Sequence, residues 1–471
     1  MSGLFSILGA TATALNAQSE AISVASNNIA NVNNPEYSRE VAAYQTMGSI
    51  YTPQGPQSMG ISVNVQQERS AVLDQMVQQE ASLTSGFTAQ QNILQQAQSA
   101  LGENITSSST SSSSVSSVTT SGLSAALNDF FNAFQALAAN PTDKGEIQTV
   151  VQQASILTDR FQQVDQSLAQ VQNAASEEAA SDADSANKLL QQVAQLNTQI
   201  AAQESGNPGS ALALRDQRAG ALEKLAALIP ISVKEGANGA DQISTTDTSG
   251  NSVTLVSGVA VTNSLSYAAG VVSAGSTALG LSSGSIQGEL SAGAGAVQAL
   301  RASLDKLANQ IVTSVNGAYN PSSSAGGNFF LAGGTAAGTI SVDPHLTAST
   351  LIAGTGSAGD NSIATAVAQI ADKSFSTGGG DLIDGTISNF YGSVVSNIGQ
   401  ALDTVNTQVT DQTAVQTTVV NQRQSVSGVS VDQEMSALMS YQRAFQASSE
   451  VFQVINSLMA NLINNLGSLS G

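Results

Sequence analysis

The N-terminal end of the chain carries apolar residues at a seven-residue spacing, formed by Leu8, Leu15, Ile22 and Ile29. A weaker stripe of small or polar residues runs beside them, offset by four positions. A heptad repeat of this kind is typical of a helix that packs along another helix. The Asn-Asn-Pro sequence at 33–35 favours a turn, so we predict that this first helix ends there.

The C-terminal end repeats the pattern with larger side chains over 431–469. One stripe is formed by Leu438, Phe445, Phe452, Met459 and Leu466, and a second stripe, offset by three, includes Ile455 and Leu462. Two stripes at alternating spacings of three and four define a coiled-coil seam. Since isolated helices are marginally stable in water, both ends need a partner. That partner is either the other end of the same molecule or a neighbouring copy.

The interior alternates between helical periodicity and segments rich in Gly, Ser, Thr and Val. Alternating apolar residues at 61–65 predict a short strand. The Ser/Thr tract at 106–121 is typical of a flexible loop. Turn pairs such as Ser249-Gly250 predict a small antiparallel β region at 231–288. Helical periodicity predicts helices at 73–101, 123–139, 145–200, 211–228, 289–319 and 382–426.

We therefore predict a mainly α protein with inserted β structure, in which terminal coiled-coil helices flank a long-helix bundle and a small antiparallel β domain. Ends that pack together would place the middle of the chain at the far end of an elongated, multidomain molecule. The predicted divisions are an N-terminal helix (1–40), the first part of the bundle (41–230), the β-rich domain (231–288), the second part of the bundle (289–426, with a β/loop insertion at 320–380) and a C-terminal helix (427–471).

Composition excludes several classes of function. The chain has 471 residues, with 14 Lys+Arg and 34 Asp+Glu, and a net charge of −20. Only 10% of the residues are charged, against about 25% in an ordinary globular protein. Such an acidic chain is poorly suited to nucleic acid or to anionic membranes, so we expect neither as a partner. Without cysteine, and with His345 as the single histidine, disulfides, thiolate metal sites and histidine-pair zinc sites are excluded.

Catalytic motifs are also missing. HExxH, the Walker pattern and GxSxG do not occur, and the Gly-rich stretches at 356–360 and 378–381 have no lysine for phosphate. Asp241, Asp247 and Asp343 lack EF-hand spacing, which favours solvated turn carboxylates over a Ca²⁺ site. We expect His345 to be a surface or turn residue. The sequence thus predicts a protein that is not an enzyme and has no cofactor or metal.

The first twenty residues lack a basic region and a continuous apolar segment, so we predict no cleaved secretory signal. We also expect no membrane insertion, since the chain contains no apolar window of about 18 residues.

Two terminal motifs resemble the signatures of bacterial flagellar axial proteins. SNNIANVNNPEYSRE (26–40) is similar to the N-terminal signature, and VDQE followed by YQRAFQA within 427–459 is similar to the C-terminal one. Glu36 stands where the family usually has Gly, which favours a type I turn or a loop over a type II turn. The signature residues that match are Asn27, Asn28, Ile29, Asn31, Pro35, Tyr37, Ser38 and Arg39.

Interior elements resemble, more narrowly, the hook-associated protein 1 family. They are ALAANPTD (136–143), LALRDQRAGALEKLAALIPISVKE (212–235), Asn-Phe-Phe (328–330) and RQSVSGV (423–429). The resemblance implies a structural protein of the flagellum that forms the junction ring between hook and filament and is required for filament assembly. It implies that the terminal stripes pack between subunits as the inner layer, with the bundle in the middle and the β domain outside.

The resemblance also implies partners and a location. The expected partners are identical subunits, the hook protein, the filament-side hook-associated protein and a cytosolic export chaperone at the C-terminal helix. The expected location is the extracellular flagellum, reached through the flagellar type III route without a cleaved signal.

Three alternatives stay open. The first is another axial protein of the hook or distal rod, against which the interior elements argue. The second is a secreted effector or enzyme that uses flagellar export, for which an inserted catalytic domain would be expected. The third is an adhesive or antigenic role of the β domain, which is compatible with a structural role.

Overall fold

The computed structural model describes residues 2–52, 55–102, 122–236, 239–322, 327–357 and 359–467. The Ser/Thr tract predicted as a loop at 106–121 lies outside them. The chain is mainly helical with small antiparallel sheets, which confirms the predicted fold class at that level. The arrangement in inner, middle and outer layers stays a prediction.

The helices follow the predicted periodicity closely. The stretch predicted as one or two long helices at 145–200 is one helix of 60 residues, which begins after Asp143, whose side chain accepts the Gly145 N–H at 2.7 Å. The helices are α1 (Ser2–Ala30), α2 (Ala71–Leu101), α3 (Leu123–Ala139), α4 (Lys144–Gln203), α5 (Leu212–Leu228), α6 (Ser285–Leu290), α7 (Gln298–Tyr319), α8 (Ser362–Ala368), α9 (Ile387–Ser427) and α10 (Val431–Gly467).

The strands form four small antiparallel sheets. Their neighbour orders are β1-β4, β2-β3, β5-β6-β7-β8 and β9-β10-β11. The strands are β1 (Glu40–Thr46), β2 (Ser49–Thr52), β3 (Gly55–Ser58), β4 (Ile61–Gln67), β5 (Ser232–Glu235), β6 (Asp241–Thr246), β7 (Ser252–Ser257), β8 (Ala260–Val261), β9 (Leu265–Ala268), β10 (Val271–Ala274) and β11 (Thr277–Ala278).

Two apolar cores lie along α4. The larger one joins α2, α3, α7, α8 and α9 to the first half of α4 and contains a cluster of phenylalanines, in which the Phe329 and Phe330 rings lie 4.9 Å apart. The smaller one joins the second half of α4 to α5 and the sheets of the β region. One continuous helix therefore carries both cores.

Helices α2 and α6 cross where each of them has a glycine, Gly86 on α2 and Gly288 on α6. A Cβ placed on Gly288 would lie 2.0 Å from the Gly86 carbonyl oxygen, and one placed on Gly284 would lie 2.3 Å from the Leu228 carbonyl oxygen. The backbones approach this closely because glycine has no side chain. Directly after α6 the chain continues as a π-helix, Ser291–Val297, into α7.

We expect Gly288→Ala to lower the free energy of unfolding by about 1–3 kcal/mol, since the backbone must move to admit the methyl group. Gly317→Ala is the matched control, because Gly317 is an exposed position of α7 where an added methyl group would have no atom within 4 Å. There the same change should stabilise the helix by up to about 1 kcal/mol. Urea unfolding of both variants measures the difference, and equal effects would disprove a tight crossing.

Candidate assembly site at the paired termini

The two terminal helices pack against each other in antiparallel order. Asn28 near the end of α1 contacts Glu434 near the start of α10, and Ala10 near the start of α1 lies across a groove from Ala447 and Val451. The pairing left open by the sequence therefore exists within one molecule.

The face that α1 buries is made of small residues. Its fully buried positions are Thr11, Ala17, Ala21, Val24, Ala25 and Asn28. The predicted stripe of Leu8, Leu15, Ile22 and Ile29 is only partly buried. Small side chains allow the helix a close approach, so the larger aliphatic residues lie at the sides of the contact.

The predicted residues of α10 differ widely in exposure. Ile455 is buried, Leu438, Phe452 and Met459 are partly buried, and Phe445 and Leu462 are exposed. The side chain of Leu466 lies outside the described residues. The structure thus buries Ile455, while much of the predicted seam on α10 stays accessible to solvent.

An exposed apolar face remains on the terminal helices. It is formed by Phe5, Ile7, Val451, Val454, Leu458, Leu462 and Ile463, which we call the terminal apolar face. No charged residue occurs in 2–19 or 451–467. A groove of about 530 Å³ between α1 and α10, lined by Ile7, Ala10 and Val451 among others, lies in the same part. Contiguous apolar surface of this kind marks an interaction site.

At the other end of the helix pair, residues of the two terminal signatures form a polar cluster. The Asn28 side-chain amide donates to the Glu40 carbonyl oxygen at 2.8 Å and to Glu434 Oε2 at 3.0 Å. Its Oδ1 accepts from the Tyr37 hydroxyl at 2.8 Å and from the Glu40 N–H at 3.0 Å. All four hydrogen-bonding positions of the buried amide are therefore used.

Arg39 completes this cluster. Its Nε lies 2.7 Å from Glu434 Oε1, its Nη1 lies 3.0 Å from Glu68 Oε2, and its backbone N–H donates to the Ser427 carbonyl oxygen at 2.8 Å. Glu434 is only 3% exposed. We call Asn28, Tyr37, Arg39 and Glu434 the signature cluster. It ties the end of α1, the following loop and the start of α10 into one unit.

The environment keeps Tyr37 a hydrogen-bond donor. Burial, followed by the charges of Glu40, Asp216 and Glu434, raises the pKa of the Tyr37 hydroxyl well above its usual range. The proton therefore stays in place to donate to Asn28.

The other signature residues serve the turn that follows α1. The Asn31 amide donates to the Asn27 carbonyl oxygen at 2.9 Å, Asn27 and Pro35 are exposed, and Ile29 is partly buried. Ser38 is buried, and its N–H donates to Asp216 on α5 at 3.3 Å.

Glu36, the departure from the family pattern, has a specific neighbour. Its φ is not positive, since Ala269 is the non-glycine residue with positive φ in the described chain. The Glu36 carboxylate lies 2.9 Å from Lys224 Nζ. It occupies the space over Gly220, whose Cβ would lie 2.5 Å from Glu36 Cδ. The Glu36 side chain, which replaces the usual glycine of the family, therefore fits because α5 has a glycine at position 220.

Charged residues join the termini to the body. Arg69, just before α2, binds Asp74 at 3.0 Å and Asp216 at 3.5 Å, and Arg423 near the end of α9 binds Glu223 of α5 at 3.0 Å. Burial raises the pKa of Asp216, an effect that the Ser38 N–H and Arg69 oppose. In a chain with few charges, this concentration of ion pairs marks the junction between the terminal helices and the bundle.

The Asp-Gln-Arg sequence at 216–218 on α5 also contacts the β region, through an ion pair of its arginine with β6. Arg218 is buried, with its Nε 2.9 Å from Asp241 Oδ2. Arg215 binds Glu204 at 2.7 Å, and this bond lowers the pKa of Glu204 to about 2. Asp241 was predicted to be a solvated turn carboxylate, and that prediction is wrong, because the side chain is buried and pairs with Arg218. Asp247 caps a turn by accepting the Ser249 and Asn251 N–H groups.

Sequence reasoning identified the signature residues but missed their common partner, Glu434. The only available signal was an acidic residue within the C-terminal signature, and spacing along the chain cannot reveal a contact across 406 positions. It noted a stripe of small or polar residues on α1, but it did not predict that small residues form the buried face of this helix.

Within the described ranges, no group of three His, Cys, Asp or Glu side chains is placed to hold a metal ion. No helix in the same ranges is both long and apolar enough to cross a membrane.

Comparisons with known proteins match three parts of the chain. Residues 108–330 match the helical domain of flagellar hook-associated protein FlgK, residues 9–37 match flagella basal body rod protein, and residues 420–466 match the C-terminal part of flagellar basal body rod FlgEFG protein. The two terminal matches contain three of the four residues of the signature cluster, Asn28, Tyr37 and Glu434, and Arg39 lies two residues beyond the first match.

Curated relatives align along nearly the whole chain. Flagellar hook-associated protein 1 of Bacillus subtilis (strain 168) is 26% identical, with 99% of each chain covered. The Escherichia coli (strain K12) protein of the same name is 24% identical, with 98% of this chain and 99% of that one covered. A solved structure of the flagellar hook junction protein FlgK from Burkholderia pseudomallei superposes with a TM-score of 0.46 at 21% identity, over 55% of this chain and 46% of that one.

Paired termini with rod-type signatures, together with these matches, define a structural protein of the flagellar axis. More particularly, the helical-domain match and the nearly full-length relatives support the flagellar hook-associated protein 1 family, also called FlgK. These relatives are structural proteins of the flagellum, and their family implies association with other axial components.

Proposed function

We propose that this protein forms the junction ring between hook and filament and is required for filament assembly. The observation that carries the proposal is the terminal apolar face, which a single molecule leaves uncovered at the uncharged end of the helix pair, formed by 2–19 and 451–467. The relatives' name, hook-associated protein 1, supports the position of the ring in the axis.

The physical driving force is burial of the terminal apolar face between neighbouring copies. Each Å² of apolar surface removed from water contributes about 25 cal/mol, against the entropy lost on ordering the ends. One molecule leaves several residues of the predicted stripes exposed or only partly buried, and these belong to the proposed subunit packing: Leu8, Leu15, Ile22, Ile29, Phe445 and Leu462. Leu466 is included because it continues the heptad stripe of the sequence. Charge does not oppose the contact, although each copy carries a net charge of −20.

In this proposal the terminal helices form the inner layer, the bundle the middle layer and the β region the outer layer. The ring contacts the hook protein on one side and the filament-side hook-associated protein on the other. The subunit travels through the flagellar type III route without a cleaved signal, and a cytosolic chaperone covers the C-terminal helix before export. The apolar residues of α10 are the surface such a chaperone would protect.

Deletion of the gene tests the role. We expect electron microscopy to show hooks without filaments and the medium to contain unassembled flagellin. Loss of the hooks would move the protein to the hook or distal rod, and intact filaments would contradict the axial role.

We expect Leu458→Asp to abolish filament formation while the monomer stays folded, because Leu458 is 52% exposed and its replacement places a charge in the proposed subunit contact. The measurement is filament restoration in the deletion strain, beside urea unfolding of the purified variant. Val415→Asp on α9, where the side chain is 46% exposed, is the matched control and should restore filaments. Equal restoration by both variants would disprove packing through the terminal apolar face.

A further inference from the structure

Residues 40–52 and 55–67 form an antiparallel ribbon in two parts. β1 pairs with β4 from Glu40↔Gln67 to Thr46↔Ile61, and β2 pairs with β3 from Ser49↔Ser58 to Thr52↔Gly55. Two backbone hydrogen bonds of 3.0 Å, Met47 to Gly60 and Met59 to Gly48, connect the parts. Gly48 and Gly60 both have positive φ, of 80° and 103°, so the ribbon changes its backbone geometry there. We call β2–β3 with Met47 and Met59 the arm.

The root of the arm is held by the terminal helices. A Cβ placed on Gly60 would lie 1.9 Å from Thr13 Oγ1, so the ribbon crosses α1 in direct contact. The Tyr44 ring lies 6.3 Å from the Tyr441 ring of α10. The arm therefore extends from the same helix pair that carries the terminal apolar face.

The arm presents apolar side chains that the described chain does not cover. Tyr51 is 84% exposed, and Met47 and Met59 are each 44% exposed. In the described residues, β2 and β3 have only each other as strand partners. Isolated two-stranded hairpins are marginal in water, and uncharged open edges readily pair with other chains. These features suit a segment that is completed by a contact.

Charge decides which partner fits. The segment 41–67 contains no Asp, Glu, Lys or Arg, like 2–19 and 451–467, in a chain of net charge −20. A basic partner would be drawn to the acidic surface elsewhere. A second copy, by contrast, is repelled there and can approach closely only where both surfaces are uncharged. The arm and the terminal apolar face are two such surfaces, and they lie next to each other in each molecule.

We propose that the arm is a second subunit contact, in which Tyr51, Met47 and Met59 pack on the terminal apolar face of a neighbouring copy of this chain. The contact is heterologous, since the arm of one copy meets the helices of the next, and such contacts generate rings. The proposal rests on the assembly role proposed above and adds the surface through which the ring closes.

Site-specific photocrosslinking tests the proposal in assembled flagella. The photoreactive phenylalanine analogue p-benzoylphenylalanine replaces Tyr51 in the full-length chain, and cells are irradiated after filaments have formed. We expect a crosslinked dimer of this chain, with the partner peptide in 2–19 or 451–467 by mass spectrometry. A crosslink to the hook protein, to a filament-side protein or to no second copy would overturn the proposal.

A substitution gives an independent measurement. We expect Tyr51→Asp to lower the fraction of hooks that bear filaments about tenfold, which corresponds to the loss of one well-packed contact. Val259→Asp, at a 53% exposed position of the β region, is the control and should restore filaments. Full restoration by Tyr51→Asp would overturn the arm contact. The gene deletion separates the two proposals, because hooks without filaments uphold the junction role even when the arm variants behave as the natural chain.

Discussion

Glu434→Ala is expected to lower the free energy of unfolding of the terminal helix pair by about 2–4 kcal/mol. The change removes the acceptor of both the buried Asn28 amide and the Arg39 guanidinium, which lie 3.0 Å and 2.7 Å from its oxygens. Asn28 has no exposed surface, so one of its two amide N–H groups loses its buried acceptor, while the other still donates to the Glu40 carbonyl oxygen. Arg39 is partly exposed and regains some hydration, which keeps the loss below that of a fully buried pair.

Hydrogen exchange measures where this stability is lost. We expect faster exchange in α1 and α10, together with unchanged protection in α3 and α7, whose core does not include the signature cluster. Glu450→Ala removes a carboxylate from an exposed position of the same helix and should change stability by less than about 0.5 kcal/mol.

A double-mutant cycle with Asn28→Ala adds a direct test of the contact. The two losses should not add, because each change already breaks the same hydrogen bond. Additive losses, or equal effects of Glu434→Ala and Glu450→Ala, would contradict the role of Glu434 as the common partner of the two signatures.

Glu289→Gln is expected to make the protein more stable at neutral and alkaline pH. Glu289 is 2% exposed at the end of α6, and its Oε2 has no hydrogen-bond partner in the described structure. Burial, followed by the charges of Asp182 and Glu178 on α4, raises its pKa to about 9. Asp182 itself accepts a hydrogen bond from Ser285.

Stability depends on pH here because the Glu289 carboxyl ionises at different pH in the folded and the unfolded chain. The carboxyl of the unfolded chain ionises near its ordinary pKa of 4.5, while that of the folded chain keeps its proton up to about pH 9. Between these values the unfolded state binds fewer protons, so this group lowers stability by up to about 1.4 kcal/mol for each unit of rising pH. Below pH 4.5 both states are protonated and the group contributes nothing.

Glutamine has the same shape and does not titrate. We therefore expect similar urea midpoints for the natural chain and Glu289→Gln at pH 4, and an advantage for the variant of about 2–3 kcal/mol at pH 7. Glu177→Gln, at an exposed position of α4, should follow the curve of the natural chain. Parallel curves for Glu289→Gln and the natural chain would show that Glu289 ionises normally in the folded state.

Much of the fold and part of the site followed from the sequence alone. Heptad spacing predicted the terminal helices, and the change to Gly, Ser and Thr after 231 predicted the β region, because periodicity and turn chemistry are local properties. The signature motifs identified the axial class of protein, and the interior elements indicated the family. The sequence did not decide whether 145–200 forms one helix or two, since the Ala-rich turns at 174–186 carry a weak apolar signal.

Only the tertiary structure decided which faces are buried. The periodicity of α1 selected Leu8, Leu15, Ile22 and Ile29, but the residues that the fold buries most deeply include its alanines Ala17, Ala21 and Ala25. The terminal apolar face is therefore defined by what the intramolecular pair leaves uncovered. Likewise, Glu289 resembles an ordinary helical glutamate in the sequence, and its burial beside Asp182 and Glu178 depends on the packing of α6 near α4.

The sequence by itself determined the helices, the β segments and the class of protein, since each rests on residues close together in the chain. Tertiary structure decided the partners across the chain. Glu434 joins Asn28 and Arg39 only because α1 and α10 fold back antiparallel, and no spacing rule covers a separation of 406 residues. Contacts of that kind depend on the path of the whole chain, which is why the signature cluster appears only in the folded molecule.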